Sequence, residues 1–234
     1  ATVRTNPEDF YSISEVKLTF WDTLDIYTDL GVNVVSGNSR VSQARFGEGI
    51  DYDALDFEVT IDATTYFNEQ QETEDTRRTT VSALYTRNLD LGWGAIGLYQ
   101  FESDEQQGLD SRSLLGGAIG RRVVNSRAHR LELFAGLALN SEDFAQTSNE
   151  ESVEGLLGTR YRLRSGADLD ATMIAFPNTE QSGRYRVQLD ASLSIDLIDD
   201  LDFNTTVYQR YDSDPPPEND NNDYGLTLGL RWEY

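Results

Sequence analysis

The last stretch of the sequence reads DYGLTLGLRWEY, from Asp223 to Tyr234. Its large apolar residues recur at every second position: Tyr224, Leu226, Leu228, Leu230, Trp232 and Tyr234. The positions between them hold small or polar residues: Gly225, Thr227, Gly229, Arg231 and Glu233. Because successive side chains of a β-strand point to opposite faces, this period of two predicts a strand with one apolar and one polar side.

The same alternation recurs upstream, most clearly in residues 24–34, 57–67, 131–140 and 185–197. Cutting the sequence at its turn signals predicts about twelve strands, the even number typical of a bacterial membrane barrel. The predicted spans are 23–35, 40–53, 56–70, 76–89, 92–103, 109–124, 130–141, 150–164, 167–177, 183–197, 200–212 and 223–234. Strands 2, 5 and 6 carry the weakest pattern, and in strand 2 Glu48 falls on the apolar side that Phe46 and Ile50 share.

The composition excludes several classes of protein. Hydrophobic residues make up 38% of the 234, the mean hydropathy is −0.53, and there is no run of about 18 apolar residues, which argues against a transmembrane helix. The net charge of −22 argues against nucleic-acid binding, since a phosphate backbone is bound through a positive surface. Cys is absent, which rules out disulfides and thiolate metal sites.

The direction of the apolar face distinguishes a membrane barrel from a soluble one. A soluble barrel turns its apolar side inward and its charged side to water. Long, nearly uninterrupted apolar sides, strands longer than the usual ~5–6 residues and an aromatic last strand favour the opposite arrangement. We therefore predict an all-β fold, a transmembrane antiparallel up-and-down β-barrel of about twelve strands, formed by residues 21–234. Residues 1–20 would be an N-terminal lead-in or plug segment.

The predicted connections also alternate in length. Those near 54–55, 90–91, 125–129, 165–166 and 198–199 are short, as expected of periplasmic turns. Those near 71–75, 104–108, 142–149, 178–182 and 213–222 are longer and polar, as expected of external loops. The first external connection, Ser36-Gly37-Asn38-Ser39, is the exception and predicts a tight hairpin.

Several motifs resemble those of the salt-induced outer-membrane protein family (YdiY-like), bacterial barrels without an assigned activity. They are Gly31 with the Ser36–Ser39 hairpin, Phe101-Glu102-Ser103-Asp104-Glu105 leading to Gly108-Leu109-Asp110-Ser111-Arg112, Gly116-Gly117-Ala118-Ile119-Gly120, Leu131 with Ala135-Gly136-Leu137, and Arg210-Tyr211-Asp212-Ser213-Asp214-Pro215-Pro216-Pro217. The motifs cover most of residues 30–234, and the last is the most specific. The resemblance implies a monomeric barrel in the outer membrane of a Gram-negative bacterium, and it implies no activity. Trp232 and Tyr234 also resemble the terminal signal that the barrel assembly machinery reads.

Charged residues on the predicted inward face are the first candidate site. The residues that would line or fill the lumen are Asp25, Asp29, Arg45, Glu58, Asp62, Arg77, Arg112, Glu132, Glu154, Arg160, Arg162, Asp190, Asp202, Arg210 and Arg231, extended by Arg87, Arg122, Arg186, Asp168 and Asp170. Charge that leaves bulk water must be paired or hydrated. The set therefore predicts either a salt-bridge network that fills a narrow lumen or the charged wall of a water-filled pore.

Acidic loops are the second candidate. They hold Glu72, Glu74, Asp75, Asp104, Glu105, Glu142, Asp143, Glu150, Glu151, Asp212, Asp214, Asp220 and Asp223. They predict either solvated loops that keep the protein from aggregating or weak binding of divalent cations beside lipopolysaccharide phosphates.

The single histidine, His129, lies between Arg127 and Arg130 in a predicted periplasmic turn. Outer-membrane hydrolases place a histidine base near the outer leaflet, within reach of a serine nucleophile. The position of His129 is the wrong one for that chemistry, so we expect no enzyme and no catalytic residue. None of the acidic loops has the spacing of an EF-hand, so we expect no defined metal site, and we expect no cofactor.

The sequence thus favours an outer-membrane barrel that is either a small channel or a structural, envelope-stress barrel with a charged, salt-bridged lumen. Its expected partners are outer-membrane lipid, lipopolysaccharide and, during biogenesis, the barrel assembly machinery. Two alternatives stay open: an outer-membrane enzyme that acts on lipid or lipopolysaccharide, and a soluble β-barrel that binds a small ligand.

Overall fold

The computed structural model describes residues 19–36, 42–68, 76–105, 108–145, 147–198, 200–215 and 220–233. It contains twelve strands: β1 (Leu24–Ser36), β2 (Ser42–Asp53), β3 (Phe57–Asn68), β4 (Thr76–Asn88), β5 (Trp93–Asp104), β6 (Leu109–Asn125), β7 (His129–Phe144), β8 (Thr147–Arg164), β9 (Asp168–Pro177), β10 (Tyr185–Ile198), β11 (Leu201–Asp212) and β12 (Asn222–Glu233). Two short 3-10 turns, Trp21–Thr23 and Asp90–Gly92, precede β1 and β5. Within the described ranges no helix is long and apolar enough to cross a bilayer.

Each strand pairs antiparallel with its neighbours in sequence, and β12 pairs with β1 to close the barrel. In that closing pair Leu30 lies opposite Leu230 and Gly31 opposite Gly229. The predicted fold class and strand number are confirmed. The expected lead-in or plug falls almost wholly on residues 1–18, and the expected tight hairpin falls beyond Ser36; both lie outside the described residues.

One predicted connection is wrong. Residues 142–149 were expected to form a long polar loop, but β7 and β8 continue to Phe144 and from Thr147, so a two-residue connection joins them. Glu142 points inward and is held by Arg112 at 2.8 Å. Acidic residues are typical of loops, so composition alone predicts a loop here. Because Glu142 has a charged partner inside the barrel, the strand can continue through it.

The two ends of the barrel differ, and we name them by their connections. At the turn end lie the short connections 54–56, 89–92, 126–128, 165–167 and 199–200, which follow even-numbered strands. Gly166 in one of these turns has a φ of +70°, a conformation that glycine adopts without steric cost. At the loop end lie the connections that follow odd-numbered strands.

The outward face of the barrel is apolar. Large hydrophobic side chains on it are exposed, among them Leu30, Leu115, Leu137, Leu157, Leu228 and Trp232. Glu48 also points outward, where Thr28 Oγ1 donates a hydrogen bond to Glu48 Oε2 at 3.1 Å. A barrel that folds in water would place its apolar side inward, so the direction of this face is the one expected of a barrel surrounded by lipid.

Aromatic rings form a series around part of the turn end. Trp21, Phe20, Tyr52, Phe57 and Tyr85 follow one another with ring centroids 5.1 to 5.9 Å apart. Such girdles sit at the boundary between hydrocarbon and water in membrane barrels. The turn end therefore carries one edge of the apolar band.

Candidate functional site

The inward faces of the strands meet in the lumen, which holds most of the charged residues predicted from the sequence. Its side chains are tightly packed on both sides: Leu114 on β6 is 1% exposed and Asp29 on β1 is 3% exposed. The contacts among these inward side chains decide what the lumen can do.

Strands β5 to β9 fill their part of the lumen with apolar side chains. This lumen apolar cluster comprises Ile96, Leu98, Leu114, Ala118, Phe134, Ala138, Leu156, Ile174 and Phe176, with Leu84 of β4 packed against it. Sequence reasoning missed the cluster because the strands that supply it are apolar on both sides, as in Leu114-Leu115. The alternation then does not reveal which side points inward.

A hydrogen bond crosses the lumen beside this cluster. Gln100 Nε2 of β5 donates to Gln188 Oε1 of β10 at 3.3 Å. Five strand positions separate β5 from β10 around a ring of twelve, so the two side chains meet from nearly opposite walls. The middle of the barrel is thus bridged as well as packed.

Three rings lie flat inside the barrel, each against a glycine directly opposite on the neighbouring strand. These ring-on-glycine pairs are Tyr27 with Gly49, Phe134 with Gly158, and Tyr208 with Gly225. In each pair a Cβ added to the glycine would collide with the ring. The glycines therefore make room for rings that pack along the wall and fill the lumen.

An ion network occupies the loop side of the lumen. Arg78 of β4 lies 2.7 Å from Glu102, 3.8 Å from Asp104 and 3.7 Å from Asp223 of β12. Arg112 lies 3.1 Å from Glu102 and so extends the network to β6. The contact between Arg78 and Asp223 joins walls that are four strand positions apart.

The same network continues across β7, β8 and β10. Arg112 donates to Glu142 at 2.8 Å, and Glu142 lies 3.5 Å from Arg186 of β10. Arg186 also lies 2.7 Å from Glu154 of β8 and stacks over the Phe176 ring at 5.5 Å. We call the chain of contacts from Asp223 through Arg78, Glu102, Arg112, Glu142 and Arg186 to Glu154 the loop-side ion network.

A second set of contacts surrounds Asp29 at the closing strands. Arg231 Nε donates to Asp29 Oδ1 at 2.8 Å, and Arg45 Nη1 donates to Oδ2 at 3.4 Å. The Arg231 guanidinium lies 4.0 Å above the Tyr27 ring, and the Tyr27 hydroxyl donates to Asp62. One buried carboxylate therefore ties β12, β1 and β2 together.

A third group of charges lies at the turn end, on β3, β7, β8 and β9. Glu58 accepts from Arg130 at 3.2 Å and from Arg162 at 3.3 Å. Arg162 also lies 3.3 Å from Asp170. Arg160 and Glu132 point into the same region.

Four further predicted lumen residues lie on the walls formed by β1, β10 and β11. Arg210 donates to Asp190 at 2.7 Å on the wall formed by β10 and β11. Asp25 is exposed at the turn end of β1, and Asp202 lies opposite both Arg231 and Asp196 in the strand register. Of the two predicted assembly residues, Trp232 points outward and is half exposed, whereas Tyr234 lies outside the described residues.

Two of the charges assigned to the lumen point away from it. Arg77 is opposite the outward Phe67 and its side chain is 61% exposed, and Arg87 is opposite the outward Phe57. The inward arginine of β4 is Arg78, which the sequence prediction missed. Arg78 lies on the same face of β4 as the polar residues Thr80 and Ser82, because every second side chain of a strand points the same way. The spacing of these three residues therefore indicates that Arg78 points inward.

Several acidic residues of the predicted outer loops are engaged by arginines. Asp104, Glu142 and Asp223 are buried inside the loop end of the barrel, where they contact the arginines described above. Glu150 accepts a hydrogen bond from Arg184 at 3.2 Å. Among the described residues no group of three or more acidic or histidine side chains is placed to hold a metal ion; Glu72, Glu74 and Asp75 lie outside that part of the chain.

His129 is the first residue of β7, next to the turn in which the sequence places it, at the turn end of the barrel. Its Nδ1 is 2.8 Å from the Tyr161 hydroxyl, and the two rings stack with centroids 6.1 Å apart. Tyr161 belongs to the outward set of β8, so the pair borders the apolar band rather than the lumen.

Solved structures with the same architecture include two outer-membrane barrels. The translocator domain of the autotransporter NalP from Neisseria meningitidis is similar with a TM-score of 0.52 at 11% identity, over 90% of this chain and 88% of that chain. The NanC porin is similar with a TM-score of 0.56 at 9% identity, over 88% of this chain and 98% of that chain. At these identities the likeness shows the fold alone.

No curated protein matches the sequence significantly. The profile of one family, described as protein of unknown function DUF481, matches residues 28–234. The match includes all of β2 to β12 and most of β1. The chain belongs to this DUF481 family.

Proposed function

We propose that this chain is a structural barrel of the bacterial outer membrane whose lumen is closed by its own side chains. Two features support the location: the outward face is apolar, and an aromatic series lines the turn end. The surroundings of such a barrel are outer-membrane lipid and lipopolysaccharide, and Trp232 would serve its insertion by the barrel assembly machinery. We propose further that it acts as a monomer and without catalysis.

The filling of the lumen at mid-height carries the proposal. A barrel of 8 strands is filled by side chains and one of about 16 leaves an aqueous channel, so the number of strands in this barrel, twelve, decides nothing by itself. Leu114, Leu156 and Phe176 are buried on one side, and Gln100 meets Gln188 across the remaining space. Ions would have to displace these side chains in order to pass.

Conductance in a planar lipid bilayer tests the closed lumen. We expect the purified, refolded barrel to insert without producing steady single-channel currents. Insertion is confirmed independently by heat-modifiable mobility in gel electrophoresis. Steady conductance of the wild-type protein in ordinary salt would contradict the proposal and favour a small channel.

A pair of double variants provides the matched comparison. Leu114→Ala with Leu156→Ala removes two side chains from the lumen apolar cluster, and we expect it to raise the frequency of conducting states. Leu115→Ala with Leu157→Ala removes the adjacent outward side chains, and we expect it to leave the bilayer silent. Equal behaviour of the two variants would mean that the apolar cluster does not close the lumen.

The proposed location has its own test. In a Gram-negative host the protein should fractionate with the outer membrane and require detergent for extraction. Recovery of the folded barrel from the soluble fraction would contradict it, whatever the conductance experiment shows.

A further inference from the structure

A pocket opens at the turn end of the lumen, between β3, β4, β6, β7 and β8. Its enclosed part is small, about 10 Å³, and the rest of it opens to solvent; it is lined by Glu58, Thr86, Arg122, Arg130, Glu132, Arg160 and Arg162. Four arginines against two glutamates give this turn-side pocket a formal charge of +2, whereas the whole chain carries −22. Positive charge is therefore concentrated here against the overall composition.

Two of the arginines in the pocket, Arg122 and Arg160, form no direct ion pair with its carboxylates, although the charges of Glu58 and Glu132 act on Arg160 from a distance. Arg122 and Arg160 lie on either side of Glu132 in the strand register. The Glu132 carboxylate is directed instead against the backbone at Gly94 and Gly120. Neither Arg122 nor Arg160 forms an ion pair or hydrogen bond with any residue in the described ranges. Each guanidinium carries five N–H donors in a planar fork that suits carboxylate and phosphate oxygens.

Thr86 gives an independent indication of a ligand. The residue is 3% exposed and lines the pocket, and its buried hydroxyl has no hydrogen-bond partner. A buried hydroxyl without a partner loses its hydration and gains nothing in return. An acceptor oxygen bound in the pocket would supply the missing hydrogen bond.

The side of the pocket that faces the middle of the barrel is apolar. Two positions further toward the loop end, β4 carries Leu84 and β7 carries Phe134, both part of the lumen apolar cluster or packed on it. The pocket is thus a blind recess that a solute enters from the turn end. Low polarity on one side strengthens ionic hydrogen bonds on the other.

We propose that the turn-side pocket binds a small dissolved oxyanion of the phosphate class. Arg122 and Arg160 donate to its oxygens, and Thr86 donates a further hydrogen bond. The site faces the lumen, so the anion comes from solution rather than from a lipid headgroup. This inference does not depend on whether the lumen conducts.

Calorimetric titration with inorganic phosphate tests the site, using the full chain refolded in lipid-free detergent. The titration is run at constant ionic strength and at a pH where phosphate is a dianion, with sodium chloride as the reference titrant. We expect saturable binding of phosphate with one site per barrel and no saturable binding of chloride. Absence of saturable binding by the folded wild-type barrel would overturn the proposal.

Variants locate the bound anion. We expect Arg122→Gln with Arg160→Gln to weaken phosphate binding about tenfold or more, since hydrogen bonds to charged groups are the strong ones. The single variant Arg160→Gln has Arg164→Gln as its matched control: each removes one positive charge from the same end of β8, but Arg164 pairs with Asp168 and Asp170 outside the pocket. An equal loss of phosphate affinity in the control would mean that the arginines act by general electrostatic attraction and not by direct contact with the anion.

Thr86→Val keeps the test decisive if the double variant does not fold. This substitution preserves the shape of the side chain and removes only the hydroxyl. We expect it to weaken phosphate binding about threefold or more, the lower end of what one hydrogen bond contributes. Unchanged affinity in a folded Thr86→Val barrel would remove Thr86 from the site and contradict the proposed geometry.

Discussion

Arg231 forms a bidentate ion pair with Asp29, from Nε to Oδ1 at 2.8 Å and from Nη2 to Oδ2 at 3.1 Å. The two residues are separated by 202 positions in the sequence, and their contact joins the last strand to the first. Arg45 donates to the same carboxylate from β2. The seam of the barrel is therefore held by an inward charge cluster in addition to its backbone hydrogen bonds.

We expect Asp29→Asn to lower the free energy of unfolding by about 3 kcal/mol, because it leaves Arg231 and Arg45 without their shared buried carboxylate. Asp25→Asn, the same change at an exposed position four residues earlier, should change stability by less than about 0.5 kcal/mol. Urea unfolding in lipid vesicles measures both. Similar losses for the two variants would show that the inward position of Asp29 is not what matters.

Neighbouring arginines on β4 provide the second comparison. Arg78 contacts three carboxylates of the loop-side ion network, so we expect Arg78→Gln to destabilise the barrel by about 3 kcal/mol. Arg77 forms one exposed ion pair with Glu105 at 3.6 Å, and Arg77→Gln should cost less than about 1 kcal/mol. Equilibrium unfolding distinguishes them, and a larger effect of Arg77→Gln would reverse our assignment of the two faces of β4.

The apolar cluster inside the lumen predicts that an inward and an outward leucine of β6 differ in their contribution to stability. Leu114→Ala should destabilise the barrel by about 3 kcal/mol, as expected for a cavity made in a packed interior. Leu115 is 61% exposed on the outward face, so Leu115→Ala loses contacts with lipid or detergent only and should cost clearly less. The difference in urea midpoint between the two variants is the measurement, and no difference would mean that the lumen is not packed like a protein core.

The ring-on-glycine pairs predict a difference in stability between two Gly→Ala variants. In Gly158→Ala the new methyl group collides with the Phe134 ring, and we expect a loss of about 1–3 kcal/mol from overpacking. In Gly117→Ala the methyl group meets open space on the outward face, so stability should stay the same or rise slightly. Thermal denaturation followed by loss of heat-modifiable mobility compares them. A neutral Gly158→Ala would show that the ring moves aside freely.

The strands were predictable from the sequence because each one has an outward apolar side and an inward side. Its residues therefore repeat with a period of two. β1, β3, β10 and β12 show this pattern plainly. The contents of the lumen were less predictable, because inward positions accept apolar as well as charged residues. Leu114, Phe134 and Phe176 are inward, so charge alone does not mark the inward face.

Arg77 shows how the error arose. Its charge predicts an inward position, whereas the alternation of β4 places Arg78 inward with Thr80 and Ser82. Counting positions from an outward residue of known orientation, such as Tyr85, would have assigned both arginines correctly. The pairing of Asp104, Glu142 and Asp223 with inward arginines could not have been read in this way, since it depends on which strands face each other across the lumen.

The ring-on-glycine pairs also restrict how the strands can be aligned. A slip by two residues preserves the inward and outward pattern, so alternation alone does not forbid it. Such a slip between β7 and β8 would set Phe134 against Leu156 or Arg160 instead of Gly158, and one between β11 and β12 would set Tyr208 against Asp223 or Thr227 instead of Gly225. Neither ring would then find space along the wall. These glycines consequently fix the strand register, because they destabilise the shifted registers that the hydrophobic pattern alone would allow.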